Sequence, residues 1–123
     1  MTKQISFSKY EKELRPQYRQ SVNSAESTED VKKFFAYSTH ELLETALQGK
    51  VAVEYEDIRL EPHRESGFVI SSRLRDLQQF DSVWNRSDLP HIVKRMAEFA
   101  IKRYKHLEKH RDRTESKIYP IPG

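Results

Sequence analysis

The chain reads as an α+β protein, predominantly helical, with four or so helices and one small antiparallel β-hairpin over about 51–60 and 67–71. Three observations carry this. Apolar residues recur at three- and four-residue steps over most of the chain, the mark of helices with one buried face. The period changes to two at Val51, Val53 and Tyr55, where alternate side chains face opposite ways, as in a strand. Helix-start signals, a hydroxyl or carboxylate followed by acidic residues or Pro, punctuate the periodic stretches.

In chain order, Ser8-Lys9-Tyr10-Glu11 has the form of a capping box, with the hydroxyl taking a free amide and the carboxylate reaching back, so a short first helix begins there. Pro16 disfavours helical geometry at Arg15, and the helix is expected to stop, kink or restart near it. Val22 to Ser27 reads as a linker. Ser27 or Thr28 caps a second helix with Glu29 and Asp30 in its first turn, where negative charge opposes the helix dipole. Val31, Phe34, Phe35, Leu42, Leu43, Ala46 and Leu47 form its stripe, and Gly49 is placed to end it. Ser38-Thr39-His40-Glu41 is a second possible cap that would divide this segment.

Ile58 and Leu60 continue the strand alternation in the opposite phase, so a bulge is expected near Glu56-Asp57. Pro62 stops the strand, and Gly67-Phe68-Val69-Ile70-Ser71 is its partner. Ser71 or Ser72 opens a further helix with Leu74, Leu77, Phe80 and Trp84 on one face. Ser87-Asp88-Leu89-Pro90 starts the last, which runs to about His110 with Val93, Met96, Ala100, Tyr104 and Leu107 in its stripe. Phe34, Phe35, Leu42, Leu43, Trp84, Met96, Ala100 and Leu107 are expected in one core.

The 123 residues suit one domain spanning 1–123, with 1–7 and 114–123 as extended or flexible tails. With no Cys, disulfides, thiolate metal sites and cysteine nucleophiles are excluded. The absence of disulfides, of an apolar leader and of any long apolar run leads us to expect a soluble, cytoplasmic protein with no membrane partner.

Residues 1–61 hold nine Lys/Arg against eleven Asp/Glu, and residues 62–123 thirteen against eight. That asymmetry, a thin apolar core and hairpin edges that need covering favour a homo-oligomer. The basic end centres on the last helix, where Lys102, Arg103, Lys105 and Lys109 are the candidate nucleic-acid contacts. The plainer account is that cations near a helix C-terminus offset the dipole and keep the outer face wet.

The histidines offer less. His106 and His110 share a helix face, but the surrounding Lys and Arg repel a divalent cation. His40-Glu41-Leu42-Leu43-Glu44 resembles a zinc-protease helix with its second His replaced by Glu. A cap followed by a core-facing Leu pair explains the same letters. Arg86 with His91, and Arg103 with His110, have the Arg-to-His spacing of the HEPN ribonucleases. That resemblance implies a His that activates or protonates and an Arg that holds phosphate. Chance supplies such pairs in a chain with eleven Arg and five His, and no family membership follows. The three Gly, at 49, 67 and 123, make no phosphate loop, and Glu54-Tyr55-Glu56-Asp57 with Glu61 reads as the wet face of a strand.

The expectation is therefore an interaction module of unknown target that is not an enzyme, needs no cofactor or metal, and binds a protein partner or itself. Nucleic-acid binding is the first alternative, and a small helical ribonuclease or other His-dependent enzyme the second.

Overall fold

A computed structural model describes residues 5–109. Its elements are α1 (Ser8–Ser24), α2 (Thr28–Ala46), a 3-10 turn (Tyr55–Asp57), β1 (Ile58–Leu60), β2 (Phe68–Ile70), α3 (Ser72–Arg75), α4 (Gln78–Asn85) and α5 (Leu89–Lys109). The fold is predominantly helical α+β, and β1 and β2 form one antiparallel pair with Ile58 opposite Ile70 and Leu60 opposite Phe68. The long helices α1, α2 and α5 pack on one another, and β1 lies against α2 and α5. One contiguous core includes Val22, Val31, Phe35, Leu43, Ile58, Leu74, Phe80, Ile92 and Val93. Of the expected core, Phe35, Leu42, Leu43, Met96 and Ala100 are buried, while Phe34, Trp84 and Leu107 pack half-buried against it.

Both ends of α1 differ from the local reading. Ser8 is inside the helix rather than its cap. Asp88 takes that role from across the fold, accepting from the Phe7 amide at 2.8 Å and the Ser6 hydroxyl at 2.9 Å. Ile5 is extended and bridges in parallel to Ser87, so residues 5–7 are pinned to the start of α5. The helix passes through Pro16 without a break, and it absorbs much of the expected linker, for Val22 is fully buried. Burial of one apolar face outweighs the lost amide.

The second cap proposed at Ser38 is not used. Thr39 is buried, its hydroxyl donates to the Phe35 carbonyl at 2.8 Å, and α2 is unbroken. Gln48 and Gly49 have positive φ after the last turn, and the Gly49 amide returns to the Glu44 carbonyl, a glycine-assisted stop of the expected kind.

The hairpin is shorter than 51–60 and 67–71. Val51 and Val53 are buried, but they lie in irregular chain, and the alternation they started ends in the 3-10 turn. The phase slip read as a bulge is that turn. The expected single helix after Ser71 is also two: Ser71 caps α3 through Leu74, the chain turns at Asp76-Leu77, and Leu77 is the exposed outlier of the proposed face. Gly67, at φ +83°, lies against α5: a Cβ there would sit 2.9 Å from Ile101 Cδ1. The remainder of the basic tail, including His110 and 114–123, lies outside the described residues.

Candidate interaction surfaces

The four cations that the sequence groups at the end of α5 separate in the structure. Lys102, Lys105 and Lys109 are exposed. Spaced three and four apart, they share one side of the helix. Arg103 is half-buried and occupied: its Nη2 donates to the Ala25 carbonyl at 2.7 Å, closing the turn between α1 and α2.

A second basic feature lies between α1 and α5. The pairings Phe7 with Asp88, Glu11 with Arg95 and Ala25 with Arg103 show the two helices running in the same direction. Between them is a half-open cleft of about 200 Å³, floored by Leu14, Tyr18, Met96 and Phe99. Its charged groups are Glu11, Arg15, Arg19 and Arg95. Glu11 is buried and accepts from Arg95 at 2.8 and 3.2 Å, a two-pronged pairing, with Arg15 a further 3.4 Å away. Arg19 lies over the Phe99 ring, 5.2 Å from its centre. Among the described residues no carboxylate pairs with it. Tyr18 donates to the Met96 carbonyl at 2.7 Å, and burial pushes its pKa far up, so it is a neutral donor. The cleft thus sets three guanidiniums against one carboxylate over an apolar floor. The local reading missed it, although Arg15 with Arg19, and Arg95 with Phe99, repeat at four residues and so flag one face on each helix.

The acidic stretch forms a third feature. Glu54, Tyr55 and Glu56 are exposed in and beside the 3-10 turn, with Tyr55 51% open. The Tyr55 ring stands 5.1 Å from Tyr37 and 4.3 Å from His40. Asp57 faces inward and is 2% exposed. It accepts from the Glu54 amide at 2.7 Å, from the Ser71 hydroxyl at 2.6 Å and from Arg73, which also donates to the Ala52 carbonyl. Burial alone would raise its pKa; the Arg73, Ser71 and Glu54 hydrogen bonds, with the Arg73 charge, overcome that and hold it below the ordinary value. These bonds bend the chain into a turn where the letters suggested a strand.

Among the described residues the histidines form no metal-binding cluster; His110, the proposed partner of His106, lies outside them. The His40 Nε2 is bonded to the Val53 carbonyl at 2.6 Å, so that nitrogen carries the proton and ties α2 to the 51–54 segment. Glu44 is 3.3 Å away, whereas Leu42 and Leu43 of the zinc-like stretch are core. Arg86, at the end of α4, and His91, in the first turn of α5, are both exposed. Among the described residues, no three His, Asp or Glu side chains converge to hold a metal, and no helix is long and apolar enough to cross a membrane. The chain matches no protein-family model, no curated protein and no solved structure.

Proposed function

We propose that the protein is an interaction module that works by binding, and that its recognition surface is the α1–α5 cleft. The carrying observation is the combination of Arg15, Arg19 and Arg95 with an apolar floor and one carboxylate. Guanidiniums present a planar fork to carboxylates and stack on aromatic faces. The matching partner is an acidic segment with an aromatic or apolar group at its centre. Binding rather than catalysis is further supported by how the groups with shifted pKa are employed: Asp57 fastens a turn to Arg73 and Tyr18 joins α1 to α5.

The test is titration with a capped peptide of Glu-Glu-Tyr-Glu-Glu and with its Lys counterpart, followed by NMR shifts of the Tyr18, Met96 and Phe99 signals. The acidic peptide should bind, weaken as salt rises, and lose about tenfold in affinity on Arg15→Gln with Arg19→Gln, equivalent to about 1.4 kcal/mol. Equal binding of both peptides, or no effect of the double substitution, removes this reading.

The exposed line of Lys102, Lys105 and Lys109 supports a second reading, nucleic-acid binding along α5. It predicts a steep salt dependence that the lysines, not the cleft arginines, set.

A further inference from the structure

We infer that the occupant of the α1–α5 cleft is the acidic turn Glu54-Tyr55-Glu56 of a second copy of this chain, in head-to-tail association. This rests on the reading of the cleft as a docking site for an acidic segment. Charge complementarity comes first. The cleft is lined by three guanidiniums and one carboxylate; Arg95 also lies in the field of Asp88 and Glu98, and Arg15 and Arg95 share Glu11, so the uncompensated positive charge is centred on Arg19. The turn has Glu54, Glu56 and Asp57 around the single guanidinium of Arg73, and Asp57 is the one that Arg73 engages, which leaves Glu54 and Glu56 as its negative face.

Size and chemistry agree as well. Tyr55 is the exposed aromatic at the centre of the turn, flanked on both sides by exposed carboxylates. The cleft measures about 200 Å³, and a cavity of about 150 Å³ holds a benzene ring. A tyrosine ring seated on Leu14, Met96 and Phe99 would lie beside the Arg19 guanidinium, where aromatic and cation attract. Its two carboxylates would then fall at the rim, within the field of Arg15 and Arg19. Tyrosine is also among the side chains that most often anchor interfaces.

No residue is shared between the two surfaces. Each copy can therefore donate its turn and receive another at once. Such a contact is heterologous, and it builds a ring where the rotation closes and an open chain where it does not. The neighbours of Tyr55 explain why the turn is presented rather than folded away: Tyr37 and His40 support the ring from behind, and Asp57 fixes the backbone beneath it.

Sedimentation of the full chain over a concentration series, at low and moderate salt, tests the inference. Two variants are compared, one with the turn disarmed (Glu54→Gln, Tyr55→Ser, Glu56→Gln) and one with the cleft disarmed (Arg15→Gln, Arg19→Gln), each checked for native circular dichroism. The wild type should self-associate, more strongly at low salt. Each variant alone should associate at least about tenfold more weakly. An equimolar mixture should form a one-to-one pair and stop there, because one intact turn meets one intact cleft. A monomeric wild type at millimolar protein overturns the inference, and so does an assembly that either variant leaves intact. Failure here is distinguishable from failure of the cleft reading: the acidic peptide would still bind the wild type and still lose affinity to the cleft variant.

Discussion

Asp57 concentrates more of the local architecture than any other polar side chain in the middle of the chain. It takes hydrogen bonds from three partners in two segments: the Glu54 amide at the start of its own turn, and the Ser71 hydroxyl and Arg73 guanidinium at the start of α3. A carboxylate so held has a lowered pKa, and its stabilisation follows the sign of that shift. Folding then gains fully above the unfolded carboxyl value of about 4, and the gain is lost as pH falls through the lower folded value. Asp57→Asn removes the charge but keeps the shape, so it should cost about 1.5–3 kcal/mol at neutral pH, the range for hydrogen bonds to a charged group. Urea titrations from pH 7 down to 3 should show the difference between wild type and variant narrowing below about pH 4. A constant difference across that window would show that the charge of Asp57 is not the source of the stability. Glu11 makes the same point about legibility. Its place in a capping motif is visible in four adjacent letters, but its actual partner, Arg95, is 84 positions away. A two-pronged ion pair to a buried carboxylate outcompetes an exposed local cap, and no residue adjacent to Glu11 signals Arg95.

Among the elements, those with a long amphipathic stripe were the most legible. The starts of α2 and α5, the end of α2 at Gln48-Gly49 and the inward faces of Phe35, Leu42, Leu43 and Met96 all follow from spacing and caps. Short elements were less so, because their form depends on distant groups. The stretch 51–57 alternates like a strand, yet a hydrogen bond from Arg73, sixteen residues on, curls its end into a 3-10 turn. Helix α1 shows the converse, a local rule at Pro16 overridden by packing. Pro16 lies inside a helix of 17 residues whose buried side, Glu11, Tyr18 and Val22, holds it against the bundle. Pro16 is exposed and has no amide to donate to the helix ladder. Since Pro is about 3 kcal/mol worse than Ala in a helix interior, Pro16→Ala should stabilise the protein by about 1–3 kcal/mol. The gain should appear as a higher urea midpoint with an unchanged slope. A loss of stability would mean that the bundle requires the backbone geometry Pro16 sets at this position.

For the whole molecule, the asymmetry of charge read from the two halves of the sequence becomes a matter of faces. Eight of the basic residues fall into three groups with different work: Arg103 and Arg73 fasten the backbone, Arg15, Arg19 and Arg95 border the cleft, and Lys102, Lys105 and Lys109 stand in solvent. Sequence could show that the last helix is basic but not which cations are already committed, since that depends on the carbonyl of Ala25 reaching Arg103 from 78 positions away. The division separates the two functional readings. Changing Lys102, Lys105 and Lys109 together to Gln should alter stability by less than about 0.5 kcal/mol, as exposed surface changes do. Arg103→Gln should cost more, because it leaves the buried Ala25 carbonyl without its charged donor. If α5 holds a nucleic-acid backbone, labelled RNA or DNA should bind at low salt. Removal of each lysine should then flatten the slope of log K against log salt by roughly 0.7–0.9. If the lysines only solvate the helix, single- and double-stranded probes should bind weakly or not at all at near-physiological salt, and the triple Gln variant should behave as wild type toward the acidic peptide. We expect the second outcome. The cleft, with its apolar floor and its Glu11 carboxylate, suits a side chain better than a phosphate, whereas a row of lysines with Glu98 and Glu108 along the same helix presents an interrupted field. Micromolar binding of RNA or DNA that the triple variant loses, with Arg15→Gln and Arg19→Gln leaving it intact, would place the function on α5 and away from the cleft.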